Sequence, residues 1–344
     1  MKKIFTILSL SIISFSACKI YINTNDEDNN NLSFSNSKKE LIQKIDLQKA
    51  SIKDLKGNAT SADFEIIGDD NTAPYVEVYA KAANKKLKKE DIEKLISNNY
   101  TLNIVTDNHL LNIEAIRQKN ISFSNNNSVQ FYFVIHTSSN LNTQIETTSG
   151  DLKMSNLTGT HNYTSTSGDA IFSKIKGNIS MSCTSGDGTF TDVVSNKIYF
   201  HSTSGDITLT NCSSELNAIT TSGDIIAQKH YGNTTSESTS GDISLELLKG
   251  SVQANATSGD VNVAISIPQE KINIVTTSGD VHLKAPQSIA ADLDIHGSNI
   301  SCNSLNHFSD GKGATNKYII GKINGGGIPM KINSNSGDIT IQWQ

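Results

Sequence analysis

The sequence predicts an all-β fold, a parallel β-helix (β-solenoid) with rungs of about 18 residues, and three features carry that prediction. The tetrapeptide Thr-Ser-Gly-Asp recurs with its aspartate at Asp151, Asp169, Asp187, Asp206, Asp224, Asp242, Asp260 and Asp280, in steps of 18, 18, 19, 18, 18, 18 and 20 residues. Apolar residues alternate on both sides of each copy, the period-two pattern of strands with one buried face. A unit this short cannot bury its own apolar face, so it must stack on its neighbours with parallel strands about 4.8 Å apart. The rungs lack the hexapeptide signature of left-handed helices, which favours the right-handed form.

Taken in chain order, residues 1–17 read as an export leader. Lys2 and Lys3 precede an apolar stretch from Ile4 to Phe15, followed by Phe15-Ser16-Ala17-Cys18. A basic start, a short apolar run and small residues before a cleavage point are what the export machinery reads. The run is shorter than the roughly 20 residues a spanning helix needs. A cysteine directly after the cut predicts lipoprotein processing with Cys18 as lipid anchor, although Phe15 stands where Leu is usual and a simple secretory signal is the alternative. Several acyl chains anchor stably where one does not. Residues 18–44, rich in Asn, Asp, Ser and Lys, read as a disordered tether. Lys19 is unlike an inner-membrane retention signal, and Asp26-Glu27-Asp28 favours surface export. The expected location is the bacterial cell envelope, lipid-anchored to the outer membrane and surface-exposed.

Residues 45–147 predict a small β-rich N-terminal cap. Alternation is visible at Asp63–Ile67 and Tyr75–Tyr79, a helical pattern near Leu87–Ser97, and further strands at Leu102–Val105, Leu110–Ala115 and Gln130–His136.

Residues 148–296 are the repeat itself. The position after each aspartate holds Leu152, Ala170, Gly188, Ile207, Ile225, Ile243, Val261 or Val281, and two further on stand Met154, Phe172, Phe190, Leu209, Ala227, Leu245, Val263 and Leu283. A second strand leads into each turn, with His161, Ile179, Ile198, Leu216, Thr234, Val252 and Ile272 in one inward column and Tyr163, Met181, Phe200, Ala218, Ser236, Ala254 and Ile274 in the next. Nearest the turn the column is uniformly small: Ser165, Cys183, Ser202, Thr220, Ser238, Ala256 and Thr276. Cys183 there reads as a small buried hydrophobe. The turn glycines Gly150, Gly168, Gly186, Gly205, Gly223, Gly241, Gly259 and Gly279 are expected to take positive φ. The rung from Asp224 to Ser240 puts Thr234, Ser236 and Ser238 in inward columns, and is expected to be the least stable or shifted in register.

Residues 297–344 break the period and read as C-terminal cap rungs, with a degenerate ninth copy at Asn335-Ser336-Gly337-Asp338 and the only tryptophan, Trp343, expected over the last rung to close the core. Such capping is needed because an open solenoid exposes unpaired strand edges.

The formal net charge is −5 and no basic cluster is present, which argues against a nucleic-acid partner. Cys183, Cys212 and Cys302 show no CxxC spacing, so neither a disulfide framework nor a zinc site is indicated. The TSGD ladder, with Ile323-Asn324-Gly325-Gly326-Gly327, Pro329 and Ser336-Gly337-Asp338-Ile339, resembles the family of bacterial β-helix lipoproteins described as adhesins, a domain-of-unknown-function group defined by Ser-Gly-Asp rungs. The resemblance covers about residues 45–344, and the helical pattern near residues 86–98 departs from the simplest members. It implies a parallel β-helix, an envelope location and an adhesin-like role, and it supplies no catalytic residues.

The aspartate column is the main chemical feature, because eight like charges stacked about 4.8 Å apart need compensation. Turn amides and neighbouring hydroxyls would supply it. The competing reading is calcium bridging Asp151, Asp169, Asp187, Asp206, Asp224, Asp242, Asp260 and Asp280, although one aspartate per 18 residues is sparse for a cation wanting six to eight oxygens. His161, His201, His230, His282 and His296 fall at different offsets and form no metal column. Polysaccharide-acting β-helix enzymes need a cleft with clustered carboxylates and basic groups, and these uniform rungs suggest none. The expected function is non-enzymatic, with no cofactor: surface binding of a glycan or protein, or a structural scaffold, with an envelope-stress or signalling partner as the alternative.

Overall fold

The computed structural model describes residues 39–47, 51–84, 87–119, 128–303 and 308–344. The export leader, Cys18 and the tether as far as residue 38 lie outside the described residues. The end of the segment read as tether is instead a strand, Glu40–Asp46, paired antiparallel with Tyr75–Ala82. Its alternation is short and half-polar, so it reads as tether until the partner strand is known.

The described chain is nearly all strand, with one α-helix among the described residues, Lys89–Asn99. Two parallel ladders run along the stack. The first contains the strands that follow each Gly-Asp turn: Leu152–Ser155, Ala170–Ser173, Gly188–Thr191, Ile207–Thr210, Ile225–Tyr231, 243–247, Val261–Ile265 and Val281–Ala285. The second contains those that lead into the next turn: Asn142–Ser149, His161–Ser167, Ile179–Ser185, Val194–Ser202, Ser213–Thr220, Thr234–Ser238, 250–256 and Pro268–Thr276. Asn140, Thr158, Lys176 and Val194 form single parallel bridges between the two, so each rung has two long sides and a narrow third one.

Register follows the 18-residue period: Ala170 pairs with both Leu152 and Gly188, and Phe172 with Met154 and Phe190. The apolar columns are buried as strand alternation requires. Phe172 and Phe190 stack with ring centroids 5.0 Å apart. The narrow side adds a third inward column, Leu157, Ile175, Val193, Cys212 and His230.

Chain order and stack order part company at both ends. Asp54–Gly68 forms a complete rung, its 54–61 half pairing with Asn142–Ser149 and its 64–67 half with Leu152–Ser155. On its other side lie Leu110–Arg117 and Val129–Thr137. The antiparallel strands Tyr100–Asp107 and Tyr75–Ala82 cover these in turn. At the far end Ile328–Ser334 and Ile339–Trp343 stack directly on Pro268–Thr276 and Val281–Ala285. Ala291–His296 and Ile300–Cys302, earlier in the chain, lie outside them. Antiparallel Tyr318–Ile323 then pairs with Ala291–His296 and with Phe308–Ala314. Trp343 therefore belongs to an inner rung rather than lying over the last one, and its indole Nε1 donates to Cys302 Sγ at 3.0 Å.

The rung carrying Thr234, Ser236 and Ser238 keeps its register in the second ladder on both sides. The irregularity falls elsewhere in that rung, between Ala227, His230 and Tyr231. Backbone hydrogen bonds hold the strand in line even where its side chains give the core little apolar volume.

Candidate functional site: the aspartate ladder and its polar faces

The corner joining the two ladders carries the aspartates in an unbroken column. The backbone N–H of each aspartate donates to Oδ1 of the aspartate one rung below. The series runs Asp151 to Asp63, Asp169 to Asp151, Asp187 to Asp169, Asp206 to Asp187, Asp224 to Asp206, Asp242 to Asp224, Asp260 to Asp242, Asp280 to Asp260 and Asp338 to Asp280, at 2.7–3.0 Å. An amide dipole aimed at each carboxylate from Asp63 to Asp280 offsets repulsion between stacked charges. The ladder thus has ten members. Asp338 comes from the degenerate ninth copy, and Asp63 was not legible as a member because Ala62 stands where the motif has glycine. The signal lay in the residues that follow, Phe64 and Ile66, which occupy the same buried columns as Leu152 and Met154.

The turn glycines are required by close approach rather than by φ. A Cβ on Gly168, Gly186, Gly205, Gly223, Gly241, Gly259 or Gly279 would come within 3.0 Å of the carbonyl oxygen of the glycine one rung below. Of the eight, only Gly150 has a left-handed φ, +152°, so the expectation of positive φ is corrected at the other seven. The left-handed column lies at the next corner, at Asn156, Lys174, Asp192, Asn211 and Lys229, with φ of 51–57°. Asn and Asp tolerate that region better than most residues.

Four members of the small column beside the turn have a polar task. The hydroxyls of Thr220, Ser238, Thr276 and Ser334 accept the N–H of the glycine three residues on, at 2.8–3.2 Å. They donate to the glycine carbonyl one rung below, at 2.8–3.2 Å. Cys183 occupies the same column with Sγ 3.2 Å from the Gly186 oxygen. Burial raises its thiol pKa, and pushes that of Cys212 up to about 11. Both are poor thiolates in consequence.

Burial shifts the lower end of the ladder. Asp63, almost wholly buried, is raised to about 6, chiefly by loss of solvent and against the pull of the Asp151 amide. Asp151 and Asp187 are raised too, again mainly by burial. His161 and His230 sit in different inward columns, and burial lowers each to about 4. His161 Nδ1 lies 3.1 Å from the Thr143 hydroxyl, and His230 Nε2 lies 3.1 Å from the Ser214 carbonyl. His296 pairs with Asp294 near the far end.

Among the described residues no group of three or more His, Cys, Asp or Glu side chains is placed to hold a metal ion. The eight calcium candidates present one carboxylate per rung, each with Oδ1 already accepting an amide, whereas calcium takes six to eight oxygens.

Outward positions on the second ladder form polar rows in register, including Asn162, Ser180, Tyr199, Asn217, Thr235, Gln253 and Asn273. An open groove of about 430 Å³ near the start of this side is lined by Asp54, Lys56, Asn142, Gln144, Thr160 and Asn162. This surface can donate and accept hydrogen bonds at intervals of about 4.8 Å along an extended ligand.

The family described as Toastrack DUF4097 matches at residues 52–245 and 176–342, two overlapping stretches as a repeated rung allows. No curated protein matches the chain. Similar solved structures include a proposed adhesin from Parabacteroides distasonis, at 13% identity, with 89% of this chain and 98% of that chain covered and a TM-score of 0.42. A proposed adhesin from Parabacteroides merdae shares 13% identity over 89% of this chain and 97% of that one, with a TM-score of 0.43. A proposed lipid-binding protein from Parabacteroides distasonis shares 15% identity over 89% and 97%, with a TM-score of 0.40.

Proposed function

The chain belongs to the Toastrack DUF4097 family, and from that premise we propose that it is a non-enzymatic, adhesin-like protein of the bacterial cell envelope, held to the outer membrane through a lipidated Cys18. The observation that carries this reading is the long, regular second ladder, whose central outward row is mostly hydroxyl and amide groups. A rigid polar face of this kind suits many weak hydrogen bonds to an extended glycan or to a surface protein, where affinity comes from the number of contacts rather than from one deep pocket. The short supply of outward aromatic rings, Tyr199 apart, favours hydrogen bonding over ring stacking.

The test is binding of chain 18–344 carrying Cys18→Ser to an extracellular glycan array and to host-cell surfaces, beside a double variant, Asn217→Lys/Thr235→Lys. Binding that the variant loses supports recognition through the second ladder. Binding that the variant retains, or no binding to either, overturns it. Metabolic labelling with a palmitate analogue, lost on Cys18→Ser, tests the anchor, and protease treatment of intact cells tests surface exposure.

A further inference from the structure

The narrow third side of each rung takes no part in the polar faces. Its outward positions stack in one row, Lys176, Val194, Ser213, Tyr231 and Lys249. Ile267 continues the row, its carbonyl accepting the Gly250 N–H at 3.1 Å. Val194, Tyr231 and Ile267 are 58%, 48% and 54% exposed. Among the described residues from 128 to 303 they are the only exposed large hydrophobic side chains, the others lying at the two ends. A single exposed apolar residue is ordinary, but three confined to one row of one side are not.

Charge on this side has the opposite sign to the aspartate corner. Lys174, Lys176, Lys229 and Lys249 stand on it against Asp192. The opposite corner carries the ten-membered aspartate ladder, and its Thr-Ser-Gly-Asp tetrads contain no cation. The molecule, net −5 overall, is therefore polarised across its width.

We propose that this third side lies against an anionic lipid surface, with the lysines at headgroup phosphates and Val194, Tyr231 and Ile267 entering the boundary with the acyl chains. Lysine stems and a tyrosine ring suit that boundary, where one end of a side chain is apolar and the other wet. Attraction to anionic headgroups adds with each lysine near the surface. A row one or two side chains wide forms no pocket for a folded partner, whereas a fluid headgroup layer conforms to it. The aspartate corner would then face away from the membrane. The contact requires no acyl group on Cys18, so it stands or falls independently of the anchor.

The test is flotation of chain 18–344 carrying Cys18→Ser with phosphatidylcholine vesicles, with and without phosphatidylglycerol, at low and high salt. The expected result is partition to the anionic vesicles that salt weakens. Lys176→Glu/Lys249→Glu should weaken it by about tenfold or more, and Tyr231→Ser/Ile267→Ser should weaken it with the circular dichroism spectrum unchanged. Thr189→Glu/Thr208→Glu adds negative charge on the first ladder's outer face, and at about 0.15 M salt, where the Debye length is about 8 Å, it should leave partition within about twofold of the parent. No partition, equal partition to neutral and anionic vesicles, or equal loss in the first-ladder variant would each overturn the proposal.

Discussion

The rungs around Phe172 and Phe190 and the rung carrying Thr234 and Ser236 share one backbone and differ in what fills it. In the first region stacked aromatic rings occupy the inward columns. In the second, Thr234 and Ser236 are buried with hydroxyls that have no hydrogen-bond partner, as does His230 Nδ1. Yet the parallel ladder passes through both regions in the same register along the second side. The lesson is that two layers of information act separately here. The Gly-Asp corner and the backbone ladder set where each rung sits, while the apolar columns set how much each rung contributes to stability.

The largest effect should come from the layer common to both regions. Gly241→Ala forces a Cβ onto the Gly223 carbonyl, and is expected to cost more than about 4 kcal/mol, a loss of the kind seen when a structural constraint is broken outright. Chemical denaturation would read it, and a cost as small as a surface substitution would remove close packing as the reason for the glycine column. Next is the contrast between fillings. Phe190→Ala should cost about 3–5 kcal/mol, whereas Ser236→Ala, which deletes an unpaired buried hydroxyl, should be neutral or stabilising. Equal losses at the two positions would abolish the distinction between the regions.

Acid provides the third test. His161 and His230 have folded pKa values near 4, below the ordinary value of 6.5. Between those values the unfolded chain binds more protons, so stability falls as pH drops from about 6.5 towards 4, by on the order of 3 kcal/mol per histidine. Asp63 acts in the opposite sense. Its pKa is raised from 3.8 to about 6, so in that range the folded chain binds the extra proton and acidification relieves a penalty. Asp151 and Asp187 are raised in the same direction as Asp63, while Asp69, Asp70 and, against its burial, Glu77 are lowered by their hydrogen bonds and add to the loss in acid. The two buried histidines carry the balance, and thermal midpoints should fall on acidification. His230→Leu, matching Leu247 beside it in the next rung, should flatten the curve, and an unchanged pH profile would count against the buried-histidine explanation.

Smaller effects belong to the aspartate column. Asp224→Ala removes the acceptor for the Asp242 amide and should cost about 1–2 kcal/mol. Asp224→Asn retains an acceptor oxygen and should cost less than the alanine variant. If thermal melts place the two together, the hydrogen-bonded ladder is not what the carboxylate contributes. A rise in midpoint with millimolar calcium that both variants lose would revive the metal reading.

Much of this was legible because a solenoid repeats its reasons. The columns at Leu152, Met154, His161, Tyr163 and Ser165 recur every rung, so each rung repeats the same signal, and the small side chains at Cys183 and Thr220 mark a crowded corner. Individual departures were harder. The Asp63 rung carries alanine for glycine and has no Thr-Ser-Gly-Asp tetrad. The left-handed corner at Asn156, Lys174, Asp192, Asn211 and Lys229 mixes residue types, since two lysines accept a conformation that Asn and Asp adopt more readily. Cys212 and His230 belong to an inward column formed by the narrow side, which is too short to show alternation.

The sequence by itself determined the rung: its length, its inward and outward residues, and the corner where glycine and aspartate must stand, because period-two alternation and steric crowding act within a few residues. Only the tertiary structure decided the order of stacking at the ends. Asp63 meets Asp151 across 88 residues and Asp280 meets Asp338 across 58, so the first complete rung and the last strands of the chain are tucked inside rungs that lie between them in sequence and the repeat. The physical reason is that a parallel backbone ladder is indifferent to side-chain identity. Any rung can hydrogen-bond to any other, and the choice falls to the arrangement that buries the outermost apolar columns beneath antiparallel strands and leaves the fewest open edges.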